Sequence, residues 1–335
     1  MINIRRAEIK DIPTIMQFLE DHWLHGYALA HDRELFDWQF VYNGKVNIWI
    51  GIDDEVGKLY ALQSMIFYAD IYNPDVSGST WLAIKSPNPL LAFDVQDFAW
   101  NEVGPVTSLS PGLRPDAVKA FKTMGKSIVE FDHYYRLADK NKYHIAVISN
   151  KSIPVIPDTG YRIELINNIS EMQAIIPESQ LMGGTPRKSY QYISWRYFKH
   201  PIFKYDIWKV LNPYGDACAI LITREEHANG ETACKIIDFY GEANILGFIT
   251  AALDNLILSR RYEYIDVYSY GVNKLIYEKG GLLRCDESSV NIIPNFFQPY
   301  TPINSSIYMI DPERDDVRLF RGDGDQDKPR LYKTN

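Results

Sequence analysis

The chain has 335 residues, 46% of them hydrophobic and 23% charged, with a net charge of −8. This is the composition of a soluble globular protein that is long for one hydrophobic core, so two domains are expected. The acidic balance excludes a nucleic-acid backbone as main partner, because phosphate binding needs a concentrated basic face and the pairs Arg187-Lys188 and Arg260-Arg261 are too short to supply one.

Cys218, Cys234 and Cys285 are odd in number and lack CxxC spacing, so they read as reduced core thiols; neither a disulfide framework nor a metal site is expected. The opening residues hold no apolar run of signal-peptide length, and no segment approaches the ~20 apolar residues of a membrane span. A cytoplasmic protein is the expectation. The 23 tyrosines read first as strand and interface filler, and second as rings for sugar or base stacking.

In chain order, Ile2-Asn-Ile4 alternates like a strand, and Asp11 caps a helix with Pro13 in its first turn. The run from His22 to Trp38 is crowded with histidines and aromatics. It reads either as a polar, aromatic-lined acceptor pocket or as a loop packed by Trp23 and Trp38; no HExxH or cysteine partner supports zinc. Val46 to Ile52 and Lys58 to Phe67 form a predicted hairpin, and Ser79 to Lys85 a central strand. Ser86-Pro-Asn88-Pro then opens a helix from Leu90 to Glu102. Val106 to Leu109 is the next strand, followed by a helix around Phe121 and a strand from Ser127 to Leu137 that contains His133 and Tyr135.

The prolines and turn formers between Asn150 and Gly160 mark a connector, after which the pattern restarts. Tyr161 to Leu165 is a strand, Ile169 to Ile176 a helix, and Tyr205 to Leu211 with Ala217 to Thr223 a second hairpin. Ala233 to Gly241 is the second central strand, and Glu242-Ala-Asn244 leads into a helix from Phe248 to Ser259. Tyr264 to Tyr270 is a strand, and Asn273 to Lys279 a short helix stopped by Gly280-Gly281. Two landmarks repeat: Trp38 to Gly125 spans 87 positions and Trp195 to Gly281 spans 86, which argues for an internal duplication. The boundaries expected are an N-terminal domain over 1–150, a linker over 151–157, a C-terminal domain over 158–312 and a polar tail over 313–335, disordered or pinned to the surface.

Ile276-Tyr277-Glu278-Lys279-Gly280-Gly281-Leu282 resembles the closing Leu-Tyr-Glu-Lys-x-Gly-Phe motif of the GNAT superfamily of N-acyltransferases, and Phe121 stands in the first half where Tyr277 stands in the second. The resemblance implies an α+β fold of two GNAT-like domains, each a mixed, mostly antiparallel sheet flanked by helices. More narrowly, the His22 to Trp38 run, His133-Tyr134-Tyr135 and Ile293 to Pro299 resemble acyltransferases of bacterial surface-polysaccharide gene clusters.

What the resemblance implies for function is transfer of an acetyl or short acyl group from acyl-CoA to an amine of a small, sugar-derived acceptor such as a nucleotide-linked amino sugar. Tyr277 is the expected acid and His133 the expected base, with Asp32 holding a water as the other route. Leu82, Ala83 and Ile84 of the central strand are expected to meet the thioester, and Asn88, Leu90, Leu91, Phe239 and Asn244 the rest of the cofactor. Trp23, His25, Asp32, Trp38 and Tyr135 are expected to line the acceptor site. The superfamily's Gly-rich phosphate loop is missing from both halves: Pro87 and Pro89 remove donors in one, and Glu242 adds negative charge in the other. A catalytically degenerate pair acting as a scaffold is the alternative. Transfer from aminoacyl-tRNA, as in Fem-type enzymes, is a third reading, disfavoured by the acidic charge. No membrane span or nucleic-acid partner is expected, and a homodimer is compatible with the sequence.

Overall fold

Asp11 ends the first strand as well as starting the first helix. Its carboxylate accepts the Glu8 amide at 2.7 Å and two bonds from Arg5, so the chain turns out of β1 (Ile2–Arg6) and into α1 (Ile12–His22). Ile12, Ile15, Phe18 and Leu19 recur at helical spacing and bury one face of α1. Asp32 caps α2 (Arg33–Phe40) by accepting the Leu35 amide at 2.9 Å.

The computed structural model describes residues 1–332, folded around two sheets. In the first, β1, β2 (Ile48–Asp53), β3 (Lys58–Phe67), β4 (Asp75–Ala83) and β5 (Thr107–Leu109) lie in that order. They are antiparallel up to β4 and parallel between β4 and β5, with α3 (Leu91–Val103) as the crossover. After β5 come α4 (Pro115–Thr123), β6 (Ile128–Glu130) and β7 (Asp132–Leu137).

The second sheet repeats the order with β8 (Arg162–Ile166), β9 (Asp206–Leu211), β10 (Ala217–Ala228), β11 (Glu231–Tyr240) and β12 (Tyr264–Tyr270). Helix α5 (Ile169–Ile175) follows β8, α6 (Thr250–Arg260) crosses from β11 to β12, and α7 (Lys274–Lys279) precedes β13 (Leu283–Cys285). The α+β class with two helix-flanked sheets is therefore as expected. The stacked rings of Trp38 and Trp195, 4.5 Å apart, join the halves, and each indole N–H donates to the other residue's carbonyl, at 3.2 and 2.7 Å.

Two features differ from the sequence expectation. The first is an exchange of strands: β7 sits between β12 and β13 in the second sheet, with His133 opposite both Tyr268 and Cys285, while β14 (Tyr308–Ile310) pairs with β6. The sheets therefore do not divide at residue 150. Every residue from His133 to Leu137 is buried, and a strand buried on both faces needs neighbours on both edges.

The second is the tail. Leu319 and Phe320 form β15 on β12, and Asp323 and Asp327 are fully buried. Asp327 meets Arg224 at 2.6 Å and Tyr205 Oη at 2.7 Å, while Asp323 and Asp238 share the ammonium of Lys188 at 2.7 and 3.0 Å. The run Arg321 to Arg330 looks solvated in sequence because these counter-charges lie far upstream, Arg224 by 103 positions.

Burial, with Asp238 adding to it against Lys188, raises the Asp323 carboxyl from its ordinary 3.8 to about 6. Between those values the folded chain holds a proton that the unfolded chain has released, so stability falls as pH rises through that window. Urea midpoints measured from about pH 4 to 7 should drop across the window, and Asp323→Asn should flatten the drop. A wild-type midpoint constant across the window would refute the assignment.

Candidate functional site

The parallel pair β4 and β5 is joined only over Asp75, Val76 and Ser77, opposite Thr107, Ser108 and Leu109. Beyond it β4 continues to Ala83, while the other chain turns away at Ser110-Pro111-Gly112, where Pro111 has no N–H to extend the ladder and Gly112 holds φ +91°. A bulge deepens the divergence: Ser79 and Thr80 together oppose Ser64, whose hydroxyl takes the Thr80 amide at 2.7 Å. At the fork, a Cβ on Gly78 would come within 3.0 Å of Ser110 Oγ, so glycine permits the close approach.

The result is an open cleft of about 370 Å³ between β4, α3 and α4, reaching Trp23 at the end of α1. Its floor is a strand edge. Ile84 donates to Tyr60 at 2.9 Å, so by the alternation of an antiparallel ladder Leu82 is bonded to β3 and the amides of Trp81 and Ala83 face the cleft. Ala92, Ala117 and Ala120 keep the helix walls apart. Trp81 is fixed by its indole N–H on the Ala92 carbonyl at 3.0 Å and by stacking on Phe121 at 5.4 Å.

The tail closes the fork. Ser79 Oγ donates to Asp325 at 2.6 Å, Gln326 Nε2 donates to Pro111 O at 3.0 Å, and a Cβ on Gly324 would lie 2.6 Å from Ser77 Oγ. Burial alone would raise the Asp325 carboxyl, but Lys328 and the Ser79 hydroxyl outweigh it and hold it below its usual range. It is a carboxylate at neutral pH.

The corresponding place in the second sheet is filled. After β11 and β12 pair at Cys234, Lys235 and Ile236, β15 takes the free edge of β12 at Ser269 and Tyr270, and the Gly322 amide bonds Ile237 O at 2.7 Å. Thr250 Oγ1 donates to Gly280 O at 2.6 Å, drawing the end of α7 onto the start of α6.

No family model and no curated protein matches the sequence. Among solved structures, the chain superposes on a GCN5-related N-acetyltransferase from Anabaena variabilis with a TM-score of 0.56 at 11% identity, over 93% of this chain and 73% of that one. A probable N-acyltransferase from Enterococcus faecalis gives 0.56 at 8% identity, over 92% and 72%. The glucosamine N-acetyltransferase region of a fungal multi-domain β-N-acetylglucosaminidase gives 0.53 at 11% identity, over 92% and 38%. The chain has the GNAT fold.

The residues expected from sequence to make a GNAT site are scattered. Tyr277 is 1% exposed, shares a 2.9 Å hydrogen bond with Ser269 Oγ and stacks on Tyr134; burial pushes its hydroxyl well above the usual tyrosine range. It lies in the core of the second sheet, away from the open cleft of the first. His133, on the exchanged strand, is 4% exposed, bonds Asp266 at 2.8 Å and stacks on Tyr268, and burial lowers its pKa. It belongs to the second sheet and does not line the open cleft.

Of the acceptor residues, Trp23 alone lines the cleft. His25 is exposed beside Glu20, Asp32 is a helix cap, Trp38 is spent on the interface, and Tyr135 is buried against Asn291 at 2.9 Å. Leu82 and Ala83 line the cleft, whereas Ile84 is tied to Tyr60. Phe239 is buried beside Phe320, and Asn244 is exposed.

Asn88 takes up the helix start instead of offering it to an anion. Its side chain accepts the Leu90 amide at 3.0 Å, its carbonyl accepts the Leu91 amide at 3.2 Å, and its Nδ2 donates to Asp94 at 2.6 Å. The Phe93 and Asp94 amides bond Leu90 O. The amides of Leu90, Leu91, Phe93 and Asp94 are thus spent within the helix start, and the Asp94 carboxylate stands in the first turn. The diphosphate of CoA does not fit this loop, although the strand edge and small-residue walls suit an extended thioester arm.

Residues that sequence reasoning did not single out carry the cleft: Gly78, Ser79, Trp81 and Asp325. A glycine within an alternating strand was the available signal for Gly78; Asp325 had none. With Tyr277 a core residue, Tyr277→Phe should cost about 1 kcal/mol of stability for the lost Ser269 bond and leave ligand affinity of the open cleft unchanged. Denaturant unfolding and calorimetry check the two halves of this prediction, and a loss of affinity would return Tyr277 to the site.

Proposed function

We propose that the chain is an N-acyltransferase, built from a duplicated GNAT domain, that moves a short acyl group from a thioester to a small amine in the cleft between β4 and β5. The observation that carries the reading is the fork after Ser77 and Leu109, which opens only in the first half and leaves a bare strand edge beside a buried carboxylate.

The thioester arm lies along β4, with the amides of Trp81 and Ala83 as its hydrogen-bond partners. Near the bulge, backbone N–H groups polarise the thioester carbonyl. The amine arrives from the side of α1 and Trp23. Ser79 Oγ, already donating to Asp325, accepts a proton from the amine as its own passes to the carboxylate. Nitrogen then attacks the carbonyl carbon, the C–N bond forms, the C–S bond breaks, and the thiolate takes a proton from solvent, since Phe121 has no hydroxyl to give.

A sugar-derived amine is the acceptor class we favour, on the surface-polysaccharide resemblance and on the glucosamine named for the fungal neighbour. Incubation with acetyl thioesters and a panel of amino sugars and aliphatic amines should release thiol and amide in equal amounts. Ala120→Phe, which narrows the cleft from α4, should lower turnover at least about tenfold without changing the melting temperature, and Ser79→Ala should lower kcat about 100-fold. Absence of both binding and thiol release with every thioester would leave the scaffold reading in its place.

A further inference from the structure

We infer that the acyl donor is a thioester on the phosphopantetheine arm of an acidic carrier protein, and not free acyl-CoA. The inference rests on the acyl-transfer reading of the cleft and concerns what lies beyond the arm.

A CoA ester and a carrier-bound ester share the pantetheine segment, so the strand edge and the alanine-lined walls do not distinguish them. The difference is outside the cleft. CoA brings a diphosphate and a nucleotide, and it needs donors for four or more anionic oxygens next to the arm. The start of α3 has spent the amides of Leu90, Leu91, Phe93 and Asp94, and neither Pro87 nor Pro89 has one. Helix α3 carries Asp94, Asp97 and Glu102 and no basic residue, and it faces the cleft with the uncharged Ala92, Gln96 and Trp100, so it offers a diphosphate no cation.

Helix α4 has the other sign on its outer face. Lys119, Lys122 and Lys126 are exposed in and just after it, while Arg114 at its start pairs with Asp116 at 3.4 Å. In a chain of net charge −8 this is a local departure, on the solvent side of the helix whose Ala117, Ala120 and Phe121 line the cleft. A single phosphodiester and an acidic protein surface suit such a face, because the attraction is spread over several exposed cations and needs no preformed cradle. Exposed charges of this kind raise association with an acidic partner and weaken with salt.

The chemistry is unchanged. The amine nitrogen forms a bond to the acyl carbon, the bond from that carbon to the carrier's pantetheine sulfur breaks, the amine's proton passes through Ser79 to Asp325, and the carrier thiolate takes its proton from solvent.

Calorimetry with acetyl-CoA, acetyl-pantetheine and an acetylated phosphopantetheinyl carrier protein tests the inference. The expected order is acetyl-CoA and acetyl-pantetheine within about threefold of each other, and the carrier thioester at least about tenfold tighter. The double variant Lys119→Glu with Lys122→Glu should abolish the carrier's advantage, as should high salt, while the acetyl-pantetheine affinity and the melting temperature stay unchanged. Acetyl-CoA binding at least about tenfold tighter than acetyl-pantetheine would overturn the inference and leave acyl transfer standing. So would a carrier thioester that gains nothing over pantetheine, or a gain that the lysine changes leave intact. No binding by any of the three would remove the thioester reading of the cleft together with the inference.

Discussion

The interaction on which the rest of the structure depends is the seating of the last strand against the second sheet. Leu319 and Phe320 complete the free edge of β12, and the chain beyond them is held by Lys188 on Asp323 and by Arg224 on Asp327. A parallel pair that forks leaves unpaired backbone groups on both strands, and a buried edge of this kind needs a strand, a ligand or water. In the second sheet the protein supplies its own strand. In the first it supplies none, so the same topology yields a core in one half and a cleft in the other.

Buried ion pairs such as Arg224 with Asp327 contribute little net stability, because desolvation of both charges offsets their attraction. Their effect is better understood as register. A carboxylate buried without its cation is costly, so the segment from Arg321 to Asp327 has one low-energy path through the molecule. That path carries Gly324, Asp325 and Gln326 to Ser77, Ser79 and Pro111, at the fork of the first sheet. The position of the Asp325 carboxylate is thus set by charges that belong to the second domain.

Much of the local architecture was legible from the sequence, because the signals are local. The cap at Asp11, the hairpins and the Gly280-Gly281 stop follow from periodicity and turn chemistry. The repeat of Trp38 and Trp195 was legible as a spacing, and it turns out to be a contact. What stayed hidden was long-range pairing. The alternation in His133 to Leu137 announces a strand but not which sheet receives it, and the charges of the tail announce solvent until Arg224 and Lys188 are placed beside them. The positions of the residues that the motif singles out were hidden for the same reason. The tyrosine that carries the motif resemblance is in the half whose cleft is filled, and the open half has Phe121 at that point.

The exchange of strands ties the two halves of the chain together. With β7 inserted beside β12, and β15 on the same strand's other free stretch, the second sheet needs residues 132–137 from the first half, and the separate ribbon of β6 and β14 pairs residues 128–130 with Tyr308 to Ile310. A cleft in the second sheet would have to displace β15, which leads into the tail segment that bonds Ser79 and Pro111 at the first fork through Asp325 and Gln326. The seating of β15 that fills the fork of the second sheet is the same seating that brings Asp325 to Ser79 at the fork of the first.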